Sequence, residues 1–155
     1  MPLRAVIFMR TYGGGELEYT QTELRVMALF STLGAVFSWL VGGIDAPLQY
    51  FLLLMTADYL TGMVAAWKTG MLSSSKAFDG IKRKVIILAV VALANTIDCA
   101  GSMGHVLRGM VLVTYSVMEG MSIIENVDRM GYSEYIPQFL RDKLVQIRNE
   151  KGVKI

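Results

Sequence analysis

The stretch Leu48 to Trp67, LQYFLLLMTADYLTGMVAAW, narrows what this chain can fold into more than any other feature, because its twenty residues are almost all apolar and carry one carboxylate, Asp58, near the midpoint. About twenty apolar residues in a helix cross the roughly 30 Å of hydrocarbon in a bilayer. An Asp at the centre of such a helix costs about 2.5–3.5 kcal/mol on insertion scales, so it faces protein or water instead of lipid. At helical spacing Asp58, Gly62, Ala65 and Ala66 share one face, with Thr61 beside them. Two readings fit that face: a close helix contact in which small residues allow approach and the Asp bonds a neighbour, or the wall of a pore or gate.

Three further apolar segments accompany it. Val26 to Ile44 carries no charge, and Ser31, Gly34 and Ser38 form a small-residue stripe along it. Thr20 followed by Glu23 is a capping-box pattern, which predicts a helix start at Thr20 or Gln21. Asp45-Ala46-Pro47 predicts a tight reversal, since proline suits the first turn of a helix. After Trp67, Lys68 to Lys84 reads as a polar loop in water with turn formers at Gly70, Ser73 to Ser75 and Gly80, and with Lys82, Arg83 and Lys84 placed to meet lipid phosphates. The third span, Val85 to Gly101, ends in Asn95, Thr96 and Asp98, which lie at the far interface or, the preferred reading, line a cavity. In the fourth, Val106 to Val127, Tyr115, Glu119, Ser122 and Asn126 recur at i, i+4, i+7 and i+11, with Glu125 slightly to the side.

Composition agrees: 54% hydrophobic and 18% charged residues, with a mean hydropathy of +0.46, belong to a membrane protein. The expected fold is all-α and polytopic, with four transmembrane helices and an amphipathic C-terminal helix. Residues 1–25 form an N-terminal segment, 26–127 the transmembrane domain (spans 26–44, 48–67, 85–101 and 106–127) and 128–155 a tail. In the tail Pro137 starts a helix bearing Ile136, Leu140, Leu144 and Ile147 on one face, which rests on an anionic membrane surface or on a neighbouring subunit, the surface being preferred. Met1 to Arg10 lacks a signal-peptide core and is expected to be retained.

Several functions are disfavoured. A net charge of +2 without a basic stripe gives no nucleic-acid partner. Gly13 to Gly15 read as a hinge and lack the spacing of a phosphate-binding loop. His105, the only histidine, has no metal-ligand partner nearby, so no metal is expected and His105 reads as a solvated loop residue. Cys99, the only cysteine, reads as a buried structural thiol. No catalytic constellation and no cofactor motif stand out.

Basic residues set the orientation. Fourteen of the fifteen fall in the N-terminal segment, the Lys68–Lys84 region or the tail, and Arg108 is the exception, which predicts both termini on the cytoplasmic side. A three-span arrangement, with the first or third segment lying in the interface, is the competing topology.

The motifs then combine. Asp58-x-x-Thr61-Gly62, a Ser-rich stretch ending Gly80-Ile81-Lys82-Arg83-Lys84, Asp98, Glu119-x-x-Ser122-Ile123-Ile124-Glu125-Asn126, Gly131 and Pro137 occur in that order over residues 48–140, and together they resemble a phage holin of the toxin secretion/phage lysis family. The resemblance implies a bacterial inner-membrane protein that forms lesions through which an endolysin or toxin leaves, without necessary direct contact with that cargo. Asp58, Thr61, Gly62, Asp98, Glu119, Ser122, Glu125 and Asn126 are the pore or assembly candidates. A homo-oligomer in the lipid bilayer is expected, because lipid satisfies none of these polar stripes and one copy offers few helices to hide them. The competing functions are a small ion- or proton-coupled channel or transporter and a non-conducting antiholin or scaffold.

Overall fold

The computed structural model describes residues 9–10, 16–17 and 19–150. In chain order the elements are β1 (Met9–Arg10), β2 (Glu16–Leu17), α1 (Gln21–Val41), α2 (Ala46–Lys68), α3 (Ser74–Gly101), α4 (Val106–Arg129), a 3-10 turn at Ser133–Tyr135 and α5 (Gln138–Glu150). Helices dominate, and α1, α2, α3 from Ala77 onward, and α4 are each long and apolar enough to cross a membrane.

The chain divides into two compact units, one up to Phe37 and one from Ser38 onward. In the first, β1 and β2 pair antiparallel, Met9 opposite Leu17 and Arg10 opposite Glu16, a ladder the sequence pattern did not announce. The glycines expected to hinge there, Gly13 to Gly15, lie outside the described residues. The capping box forms as expected: the Glu23 N–H donates to Thr20 Oγ1 at 3.3 Å, and the Thr20 N–H donates to the Glu23 carboxylate at 2.7 Å. These bonds satisfy donors that the first turn of α1 leaves without partners.

In the second unit α4 is the hub, packing against α2, α3 and α5, while α2 and α3 touch each other less. Its apolar core comes from Leu48, Phe51, Met55 and Ala65 of α2, Ile87, Val91 and Ala94 of α3, and Leu112, Val117 and Ile124 of α4. At the α2 start the Asp45 carboxylate accepts the Leu48 N–H at 3.2 Å and Pro47 occupies the first turn. Apolar side chains that miss the core, such as Tyr50, Leu53, Ile86 and Leu93, face outward. Water would not tolerate so much apolar surface, and lipid accepts it without cost. Hydroxyls within the helices are satisfied locally: Thr56, Thr61 and Thr96 each donate to the carbonyl four residues earlier.

Two expectations need correction. Helix α3 begins at Ser74 and not at Val85, so Ser74, Ser75 and Gly80 are helical and only Thr69 to Ser73 remain as the connection. Twenty-eight residues make a helix about 42 Å long, longer than the hydrocarbon is thick, so the polar first turns continue the helix beyond it. Gly80 lets the α2 ring of Tyr59 come close, 3.5 Å from where a Cβ would stand. Cys99 is exposed on the chain surface and not buried. In the tail Leu140 is exposed, and Arg141 pairs with Asp128 at 2.9 Å, which holds α5 to the end of α4.

Candidate functional site: a buried ionic cluster within the spans

Three charged side chains meet inside the second unit. Asp58 of α2, Lys84 of α3 and Glu119 of α4 each stand ten residues from the helix end on the side of Lys68, Ser74 and Arg129. That is about 15 Å along each helix at 1.5 Å per residue, so the three lie at a common depth. The Lys84 ammonium donates to Asp58 Oδ2 at 2.5 Å and also to Glu119 Oε2. Only 13% of the lysine side chain, 14% of the aspartate and 5% of the glutamate remain accessible.

A layer of neutral groups extends the cluster. The Asn126 amide donates to Asp58 Oδ1 at 3.1 Å and to Thr61 Oγ1 at 3.2 Å, and its oxygen accepts from Arg129 Nη2. Gly62 allows this approach, since a Cβ there would stand 3.4 Å from Asn126 Nδ2. Ser122 borders the same space, a cavity of about 220 Å³ that Asp58, Lys84, Arg83 and Arg129 also line. Of the sequence-based candidates, Asp58, Thr61, Gly62, Glu119, Ser122 and Asn126 thus come together, whereas Glu125 is exposed and apart.

Lys84 is the surprise. Grouped by sequence with Lys82 and Arg83 as a phosphate-facing run, it turns inward, while Lys82 stays exposed, 3.2 Å from Asp79 and above the Phe78 ring. One ammonium serves two carboxylates, so the trio carries one excess negative charge when all three groups are ionised. Every buried side-chain nitrogen and oxygen among the described residues has a hydrogen-bond partner. Glu119 and Asn126 of the fourth-helix stripe thus find their partners within one chain.

Asp98 belongs to a second cluster at the opposite end. Buried to 1% exposure, its carboxylate accepts the Leu107 and Arg108 N–H groups at 3.0 and 2.8 Å, capping α4 where His105, in the left-handed region, supplies no side-chain cap. Arg108 is also buried: its guanidinium grips Asp45 with two bonds of 2.7 and 2.8 Å and donates to the Val41 and Gly43 carbonyls. That grip holds the Asp45 carboxyl down to about 2. Asn95 donates to the Leu40 carbonyl at 3.1 Å, so Asn95 and Asp98 sit in a polar core that joins the two turns.

A signal for both missed cations was present in the helical period. Counting back from Asp98 and Asn95 by threes and fours passes the buried Ala94, Val91 and Ile87 and arrives at Lys84. Counting back seven from Tyr115 along the α4 stripe reaches Arg108.

The family model described as the bacteriophage holin family matches residues 35–149, which takes in the end of α1, both polar clusters and nearly all of α5. The chain belongs to the bacteriophage holin family. Among relatives of this holin-family chain, a probable holin of Bacillus phage phi105 is 33% identical over 125 residues, covering 81% of this chain and 90% of the relative. An uncharacterized protein of Bacillus subtilis strain 168 is 38% identical over 129 residues (83% and 90% of the two chains), and one of Clostridium perfringens strain 13 is 35% identical over 123 (79% and 90%). No solved structure matches significantly. Family and helices together make this a holin-like integral membrane protein.

Proposed function

We propose that the protein oligomerises in the bacterial cytoplasmic membrane, with both termini inside the cell, and there forms lesions that let an endolysin or a toxin leave the cytoplasm. The observation that carries this reading is the Asp58–Lys84–Glu119 cluster, fully partnered inside one chain yet set deep within helices that face lipid. Separating α2, α3 and α4 in lipid would strand those charges, at about 2.5–3.5 kcal/mol for each on insertion scales. Enough copies together can line a water-filled opening, where water replaces the lost partners. A single copy stays closed, and many copies open in concert. This ties opening to accumulation through the cost of desolvating one ionic cluster. The probable-holin relative from phage phi105 supports the same reading by family.

The test is inducible expression in bacteria with and without a cytoplasmic endolysin, while membrane potential and culture density are followed. Sudden depolarisation after a lag, with lysis only when endolysin is present, is the expected result. Depolarisation with no endolysin-dependent lysis would favour the ion channel reading. Neither event, together with delayed lysis when a known holin is co-expressed, would favour an antiholin.

A further inference from the structure

The cavity beside the ionic cluster has a use that lesion formation does not explain. It lies between α2, α3 and α4, and runs from Asp58 and Lys84 outward to Ser73, in the connection before α3, and to Arg129, the last residue of α4. Asp58 and Lys84 stand at mid-helix, and Ser73 and Arg129 where helices begin or end. Met63, Ala66, Leu72 and Ala77 contribute apolar lining, and Arg83 and Arg129 contribute cations.

The charges do not cancel. Lys84 is taken by Asp58 and Glu119, but no carboxylate lies within ion-pair distance of Arg83 or Arg129 among the described residues, and the one bond Arg129 makes there is to the neutral Asn126 amide. Guanidinium groups bind phosphate through paired N–H donors, and a basic pocket between spans at a membrane interface suits an anionic headgroup. A volume of about 220 Å³ holds a phosphate with its glycerol linkage, being several times the ~30 Å³ share of one water. It does not hold acyl chains as well. Those would leave along the apolar lining.

We propose that this cavity binds one anionic phospholipid per chain, its phosphate held between Arg83 and Arg129 and its acyl chains lying along Met63, Ala66, Leu72 and Ala77. The apolar lining distinguishes a lipid from free phosphate, which would gain nothing from it. The bound lipid wedges between α3 and α4 at the membrane surface and adds an anion beside a cluster that already holds an excess carboxylate.

Native mass spectrometry of the full chain in detergent tests this, with phosphatidylglycerol and phosphatidylcholine titrated separately. One phosphatidylglycerol per chain should be retained at least tenfold more tightly than phosphatidylcholine. Arg83→Gln combined with Arg129→Gln should abolish that preference, whereas Lys82→Gln, which alters a surface cation outside the cavity, should preserve it. Ala77→Phe keeps every charge but fills the apolar side, and should weaken binding of phosphatidylglycerol likewise; circular dichroism identifies any variant that has lost its helices. Equal retention of both lipids, or full retention by the double variant with its helices intact, overturns the proposal. Displacement of phosphatidylglycerol by inorganic phosphate at equal concentration would also overturn it, since the site would then read phosphate alone.

Discussion

Replacing Lys84 by methionine keeps an unbranched side chain one heavy atom shorter and removes the cation shared by Asp58 and Glu119. Two carboxylates, 14% and 5% accessible, then face each other with the Asn126 amide, 3.1 Å from Asp58 Oδ1, and the nearby Ser122 as neutral neighbours. Breaking a buried ion pair by removing one member costs about 3–5 kcal/mol, most of it the penalty on the charge left behind. Bonds between membrane helices average nearer 0.6 kcal/mol, because the unfolded reference finds partners within the bilayer too. The near-complete burial and the double role of Lys84 place its loss at the upper figure. Glu119→Gln removes the surplus negative charge and keeps the Asp58–Lys84 pair, so it should cost about 1 kcal/mol or less, the scale of one neutral hydrogen bond. Adding Asp58→Asn and Glu119→Gln to Lys84→Met leaves no ion behind and should recover most of the loss, as neutral replacements of buried ion pairs often do. Unfolding from mixed micelles by increasing denaturing detergent, followed by Trp39 and Trp67 fluorescence, measures all four proteins. If Lys84→Met unfolds with wild type, or if the triple variant is no better than the single, the cluster is not holding α2, α3 and α4 together.

Gly42 has φ +82° and a Cβ there would stand 2.2 Å from Asn95 Oδ1, so Gly42→Ala should cost at least the ~1–2 kcal/mol of left-handed backbone, while Gly43→Ala, with an open surrounding, should cost the backbone strain alone; the same unfolding assay ranks them. Asp45, held down to about 2 from an ordinary 3.8 by Arg108, contributes stability that is fully present above pH 3.8 and is lost as pH falls through about 2. Its side chain is 44% exposed, so solvent screening limits this contribution to about 1 kcal/mol; unfolding compared with Asp45→Asn should show a difference at neutral pH that vanishes in acid. Single cysteines placed at Ser74 and at Glu150 on a Cys99→Ser background should both resist an impermeant reagent in intact cells, and labelling of only one of them would reject four spans with both termini inside.

The parts of the fold that were legible in the sequence are those fixed by local chemistry. The Thr20–Glu23 box, the Asp45-Ala46-Pro47 turn and the apolar lengths of the spans each act over a few residues or through composition. The polar face of α4 was legible too, since its period shows without a partner. What failed was the reading of the sequence from Ser74 to Lys84. Serines and glycine there look like turn formers, yet they continue α3 because a helix leaving the membrane can keep its hydrogen bonds in water. Reading the segment as a loop also put Lys84 on the surface; the helical period gives the face it takes, but its partners, Asp58 and Glu119, lie twenty-six and thirty-five residues away. No local rule carries such a contact. Asp98 was rightly marked as a polar residue at the end of a span, but its partners are the first amides of α4, which exist only once the α3–α4 turn has closed.

Both polar clusters share α4, and that bears on how the helices would separate in the proposed lesion formation. Arg108 and Glu119 are eleven residues apart on one stripe, about 16 Å along the helix. At that distance separate perturbations usually add within about 0.3–0.5 kcal/mol. If α4 turns as one body, however, the movement that withdraws Glu119 from Lys84 also pulls Arg108 from Asp45, so a chain already released at one end loses less when the other end is cut. Asp45→Asn and Lys84→Met should then destabilise together by less than their sum, with a coupling of more than about 0.5 kcal/mol despite the distance. The four-protein cycle in mixed micelles measures it directly. Additive losses would mean that the clusters break independently, and that opening at the ionic cluster does not require the far turn to release.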